Sequence, residues 1–136
     1  GWNTVIEEVA KKYKDGIFVI GTNSIINPQA YPFGVVSRTW FNILGHVHDQ
    51  RLFFGDIYIR DVLKGIMELR PELGNRMPYL ENVVIEHAWA SDRRSEASQQ
   101  EIEYVYGEAV AEQYRQLHQQ CVQEAVEKLI PFFQEE

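Results

Sequence analysis

Along residues 4–14 the apolar side chains Val5, Ile6, Val9, Ala10 and Tyr13 recur at the spacing of one helix face, with Glu7, Glu8, Lys11, Lys12 and Lys14 opposite. The pattern predicts a surface helix, capped by Asn3 and stopped at Asp15-Gly16, whose residue types tolerate left-handed backbone angles. Ile17-Phe18-Val19-Ile20 is a short apolar, β-rich run between Gly16 and Gly21, which is how a strand covered on both faces reads. Residues 22–32, polar and punctuated by Pro28 and Pro32, predict a loop, and residues 33–37 a second strand. A short helix then opens at Ser37 or Arg38, carries Trp40, Phe41 and Leu44, and ends at Gly45. Residues 46–55 keep no sustained period and predict another loop. Asp56 is placed to cap the next helix, in which Ile59, Val62, Leu63 and Ile66 fall at i, i+3, i+4 and i+7. A turn-rich connector over 71–78 leads to a third strand over 79–86, centred on Val83-Val84-Ile85.

The pattern changes after His87. From about 95 to 133 Gln, Glu, Ala, Val and Tyr dominate, and Val110, Tyr114, Leu117, Cys121, Ala125 and Leu129 form one narrow stripe of a long helix that must pack on something. Helices alternating with buried strands predict an α/β fold: three short strands with flanking helices over 1–90, then a helical extension over 91–136 that packs on the domain or on a partner.

Composition narrows the function. The 136 residues suit one domain, and 45% hydrophobic content with 24% charged residues excludes a disordered or collagen-like chain. A formal charge of -7 repels a polyphosphate backbone, so nucleic acid is not an expected partner. Cys121 is the single cysteine, which excludes an intramolecular disulfide or a cysteine-rich zinc site and reads as a packed thiol. No apolar run approaches the ~20 residues that span a bilayer, and no leader pattern stands at the start. A cytoplasmic protein is the expectation.

The chain contains no G-x-G-x-x-G, P-loop, H-E-x-x-H, G-x-S-x-G or C-x-x-C, so its candidate chemistry rests on polar residues where strands and helices change over. Asp56, between Phe53-Phe54 and an apolar helix, reads either as a helix cap or as a general base at the mouth of a cleft. The two roles conflict, because a cap stabilises the anion whereas a base needs a raised pKa. Asp61, inside the helix, reads as solvated or ion-paired. His87 ends the third strand beside Glu86, where an imidazole is either a hydrogen-bonded structural group or a ligand for a divalent ion. His46 and His48, with Asp49, read as loop decoration, with a hydrolase as the sharper but thinly supported alternative. Trp40 and Trp89 read as core residues or as platforms for a sugar face.

Read in order, the segments resemble the second half of an inverting glycosyltransferase of the GT-A fold, from the large family that uses nucleotide-diphosphate sugars. Gly1-Trp2-Asn3 is similar to the "gWd" that opens the helix after that family's D-x-D, and residues 15–20 to the turn and strand that follow. Residues 31–40, Tyr-Pro-Phe-Gly-Val-Val-Ser-Arg-Thr-Trp, resemble the "hPf.visr.w" stretch, and Leu44-Gly45-His46 stands where that family has "lGy". Phe54-Gly55-Asp56-Ile57-Tyr58-Ile59 looks like the acidic acceptor-side motif, and Val83-Val84-Ile85-Glu86-His87 like the strand that ends in a metal-site histidine. The resemblance implies Asp56 as catalytic base, Ser37, Arg38, Trp40 and Gly55 at the substrate, and His87 as a ligand to Mg²⁺ or Mn²⁺. It also implies a nucleotide-sugar donor, an acceptor hydroxyl and a parallel-type sheet whose remaining strands, with their D-x-D, precede Gly1. No D-x-D occurs in the 136 residues, so the expected chain is incomplete as a transferase alone and relies on a companion chain or self-association to cover the sheet. The alternative is a noncatalytic interaction protein that uses the α/β part as scaffold and the C-terminal stripe for assembly.

Overall fold

A computed structural model describes residues 1–23, 35–52, 55–84 and 108–134. Helix α1 spans Trp2–Ala10, and it begins before Asn3. The predicted Asn3 cap is therefore corrected: Gly1 occupies the capping position without a side-chain bond, and Asn3 lies inside the helix. The helix also ends earlier than the pattern predicts, at Ala10 with Lys11 as its C-cap, and residues 11–16 form turns rather than helix. Gly16 holds φ +71, and a Cβ there would stand 2.7 Å from Thr39 Oγ1, so both backbone angle and space demand glycine.

Strand β1 is Val19–Asn23, and residues 17–22 are all buried, as a run with no polar face requires. It extends past the predicted end at Ile20 because Gly21 and Thr22 pair with Tyr79 and Leu80 of strand β3, Tyr79–Val84. Polar Thr22 and Asn23 look like loop residues locally and become strand only through that distant partner. Strand β2, Val35–Val36, flanks β1 on the other side. The order is β2-β1-β3, with β2 antiparallel and β3 parallel to β1, so the sheet is mixed rather than of the parallel type expected. The register between β1 and β3 breaks after Thr22.

Helix α2, Arg38–Leu44, has both predicted boundaries: Ser37 Oγ accepts from the Trp40 amide at 3.3 Å, and Gly45 closes the helix at φ +80. Ser37→Ala is expected to cost about 1 kcal/mol in chemical denaturation, the usual loss for an N-cap. Helix α3, Gly55–Leu69, buries Val62, Leu63 and Ile66 completely, as their spacing foretold. Helix α4, Glu108–Leu129, lays Cys121, Ala125, Val126 and Leu129 against α3 and α2, in one core with Trp40, Leu44 and Tyr58. The described part of the C-terminal segment thus packs on the domain. None of the described helices is long and apolar enough to cross a membrane.

Asp61 meets His118 and Gly65 meets Val126, so α3 and α4 run the same way. Their C-terminal ends converge on fully buried Arg76, which binds the Leu73 and Gln134 carbonyls behind the two helices and Asp15 and the Ile17 carbonyl ahead of β1. That knot marks the end of the sheet where β1 and β3 begin. The first turn of α3 lies at the other end of that helix.

Candidate functional site

Gly55 and Asp56 are the first two residues of α3. Asp56 lies within the helix rather than ahead of it, which corrects its expected place as N-cap; its side chain is outside the described structure. His87 falls outside the described residues altogether, three positions beyond the end of β3. Gly55 faces an imidazole: a Cβ on it would approach His48 Cγ to 2.8 Å, so the glycine is what lets the His48 ring lie against the start of α3. Arg38 is exposed at the start of α2. Ser37 is buried and its hydroxyl serves the helix cap. Trp40 is 0% exposed, with its indole N–H donated to the Val47 carbonyl at 3.1 Å. As a sugar platform Trp40 is therefore corrected: both ring faces are enclosed in the core, leaving no surface for a ligand. Asp61 is ion-paired, accepting from Arg60 Nε at 3.0 Å and lying 2.9 Å from His118 Nε2.

A second polar centre lies where the loop after α2 meets α3 and α4. It is a cavity of about 240 Å³ lined by His46, Asp49 and Arg51 of the loop, Tyr58 of α3, and Cys121, Glu124 and Lys128 of α4 among others. Arg51 grips Asp49 through Nε at 3.0 Å and Nη2 at 2.7 Å, and the same Nη2 donates to Glu124 at 2.7 Å. His46 Nε2 and the Tyr58 hydroxyl are 2.9 Å apart.

The electrostatics follow from this geometry. Hydrogen bonding from Arg51 holds the Asp49 carboxyl well below the usual carboxylate range, although burial opposes it. Burial pushes Tyr58 and Cys121 up, with Asp49 adding to both, so phenol and thiol keep their protons at neutral pH. A protonated, buried thiol is no nucleophile. Burial lowers His46 from its ordinary 6.5, against the pull of Asp49. The centre therefore offers an ion-pair network, two proton-bearing groups and one imidazole whose pKa burial holds below its ordinary value.

Sequence reasoning had singled out His46, His48 and Asp49 but not their companions, because Tyr58, Cys121 and Glu124 arrive from two separate helices. The one local signal was Arg51, two residues after Asp49, a spacing that lets a guanidinium fold back onto a carboxylate.

Among the described residues no group of three or more His, Cys, Asp or Glu could hold a metal ion. His87, the ligand that the resemblance implies for Mg²⁺ or Mn²⁺, lies outside the described residues.

Compared with models of protein families, with curated proteins and with solved structures, the chain matches none.

Proposed function

We propose that this chain is the acceptor side of an inverting glycosyltransferase that takes its sugar from a nucleotide-diphosphate donor. The observation that carries the reading is the place of the Gly55-Asp56 pair in the first turn of α3, with Gly55 against the His48 ring. The described residues of the series that resembles the family fall on these elements: 15–20 on the approach to β1 and into it, 35–40 through β2 and into α2, 55–59 at the start of α3, and 83–84 at the end of β3.

In this reaction the Asp56 carboxylate removes the proton from an acceptor hydroxyl as that oxygen bonds to the anomeric carbon. The bond from the anomeric carbon to the diphosphate oxygen breaks, and its electron pair leaves with the nucleoside diphosphate. Attack opposite the leaving group inverts the anomeric configuration.

The test is turnover of a panel of UDP-, GDP- and TDP-sugars by the chain, alone and with a companion segment that bears a D-x-D. Asp56→Asn is expected to lower kcat by about 10² to 10⁴, the range for loss of a positioned base, while the donor KM stays within a few-fold. Absence of hydrolysis or transfer from every donor, in both settings, would sink the transferase reading.

A further inference from the structure

We propose that the His46 side chain is a proton-operated cover on the cavity between the α2–α3 loop, α3 and α4, closed over Tyr58 when neutral and swung out when protonated. The proposal does not depend on the transferase reading.

Tyr58 is 0% exposed, and its hydroxyl makes one described hydrogen bond, to His46 Nε2. A buried hydroxyl without a partner is costly, so this contact fixes the ring. A neutral imidazole can present a lone pair at Nε2 to the Tyr58 O–H; an imidazolium has no lone pair to offer. Protonation therefore removes the acceptor of the Tyr58 proton: the imidazolium can only donate to the phenol oxygen, which leaves the buried O–H without a described acceptor.

The charges around His46 add to this. From its own loop Arg51 and His48 oppose a proton on the ring, and from α4 Lys128 opposes it. Asp49 favours it, but both Asp49 oxygens already accept from Arg51, as does Glu124 across the cavity. The remaining facing groups, Tyr58 of α3 and Cys121 of α4, are uncharged. Burial penalises the charge further, and that penalty is relieved if the ring turns to water.

The motion is small. His46 is partly exposed already, and it follows Gly45 at φ +80, the helix-closing residue. The rest of the loop stays tied by Trp40 to the Val47 carbonyl and by Arg51 to Glu124. What changes is access to the cavity, whose wall includes the single cysteine of the chain, Cys121, 1% exposed in the closed form.

Cys121 is thus a built-in reporter. The experiment measures its reaction with 4,4′-dithiodipyridine from pH 5 to 8 in the wild type and in His46→Gln, whose amide oxygen accepts from Tyr58 but cannot be protonated. Taking the ratio of the two rates at each pH cancels the titration of the thiol. The expected result is a ratio near one at pH 8 that rises several-fold at pH 5, with its midpoint matching the His46 titration read by NMR below pH 6.5. Tyr58→Phe, which removes the bond the ring closes on, is expected to react fast at both ends of the range. A ratio that does not change with pH, a His46 midpoint at or above 6.5, a Tyr58→Phe rate as slow as the wild type at pH 8, or loss of the far-UV signal in the same range would each overturn the proposal.

Discussion

Replacing Arg76 with methionine is expected to destabilise the protein by about 3–5 kcal/mol, the usual loss when one member of a buried ion pair is removed. That corresponds to a drop of roughly 10–20 °C in melting temperature for a domain of this size. The side chains of Arg76 and Asp15 are 0% and 1% exposed and meet at 2.6 Å. Every arm of the guanidinium is used: Nη1 also reaches the Ile17 carbonyl, Nε the Leu73 carbonyl and Nη2 the Gln134 carbonyl. The group also lies between the Tyr13 and Phe133 rings, 5.2 and 5.1 Å from their centroids. Methionine fills much of the volume but leaves the Asp15 carboxylate buried beside only two backbone donors, the amides of Ile17 and Gln134. Most of the cost is that stranded charge, so adding Asp15→Asn is expected to return part of it. Arg76→Lys should recover little, since an ammonium cannot fork to three carbonyls or stack between two rings. Urea denaturation of the wild type, Arg76→Met, Asp15→Asn and the double variant supplies the coupling energy. A loss below about 1 kcal/mol for Arg76→Met would mean that the pair barely exceeds its own desolvation cost.

This knot was invisible along the chain. Arg76 stands in a connector of Gly, Asn and Pro, where a charged residue reads as exposed, and its partner is 61 positions earlier. What could be read locally was read well. Both ends of α2 are set by contacts within a few residues, the Ser37 cap and the Gly45 turn, and the α3 stripe buries the residues that its spacing picked. Errors arose where the deciding partner is remote. Thr22 and Asn23 are strand because β3 lies beside them, and the antiparallel run of β2 has no signature in two valines. Asn3 was preferred over Gly1 as a cap by residue type alone, with no local feature to fix the first turn. The same limit governs the sites: the Gly55-Asp56 pair stood out because its chemistry is contiguous, whereas the cavity at His46 needs Tyr58, Cys121 and Glu124 from helices whose stripes said only that they would be buried. Trp40 shows the converse, a conspicuous aromatic whose N–H is satisfied by a carbonyl seven residues on and whose body is core.

Deleting residues 108–136 is expected to abolish cooperative folding, read as loss of the sigmoidal thermal transition and appearance of dye-binding hydrophobic surface. α4 and the turn after it contribute Cys121, Ala125, Val126, Leu129 and Phe133 to the core, all at most 7% exposed. Val126, Leu129 and Phe133 alone represent about 1.5–3 kcal/mol each of burial, and their loss uncovers the facing side chains of α3 as well. Removing Gln134 also takes one carbonyl from Arg76 and one amide from Asp15. Together these losses reach the whole net stability of an ordinary domain, about 5–15 kcal/mol. A milder probe is Leu129→Ala, expected to cost about 2–5 kcal/mol for a fully buried leucine. An assembly helix that served only a partner would behave differently: its removal would leave a folded remainder and abolish concentration-dependent association. The described stripe of α4 is spent on α3 and α2, so a stable truncated domain would contradict the packing from which the cavity and the Arg76 knot both follow.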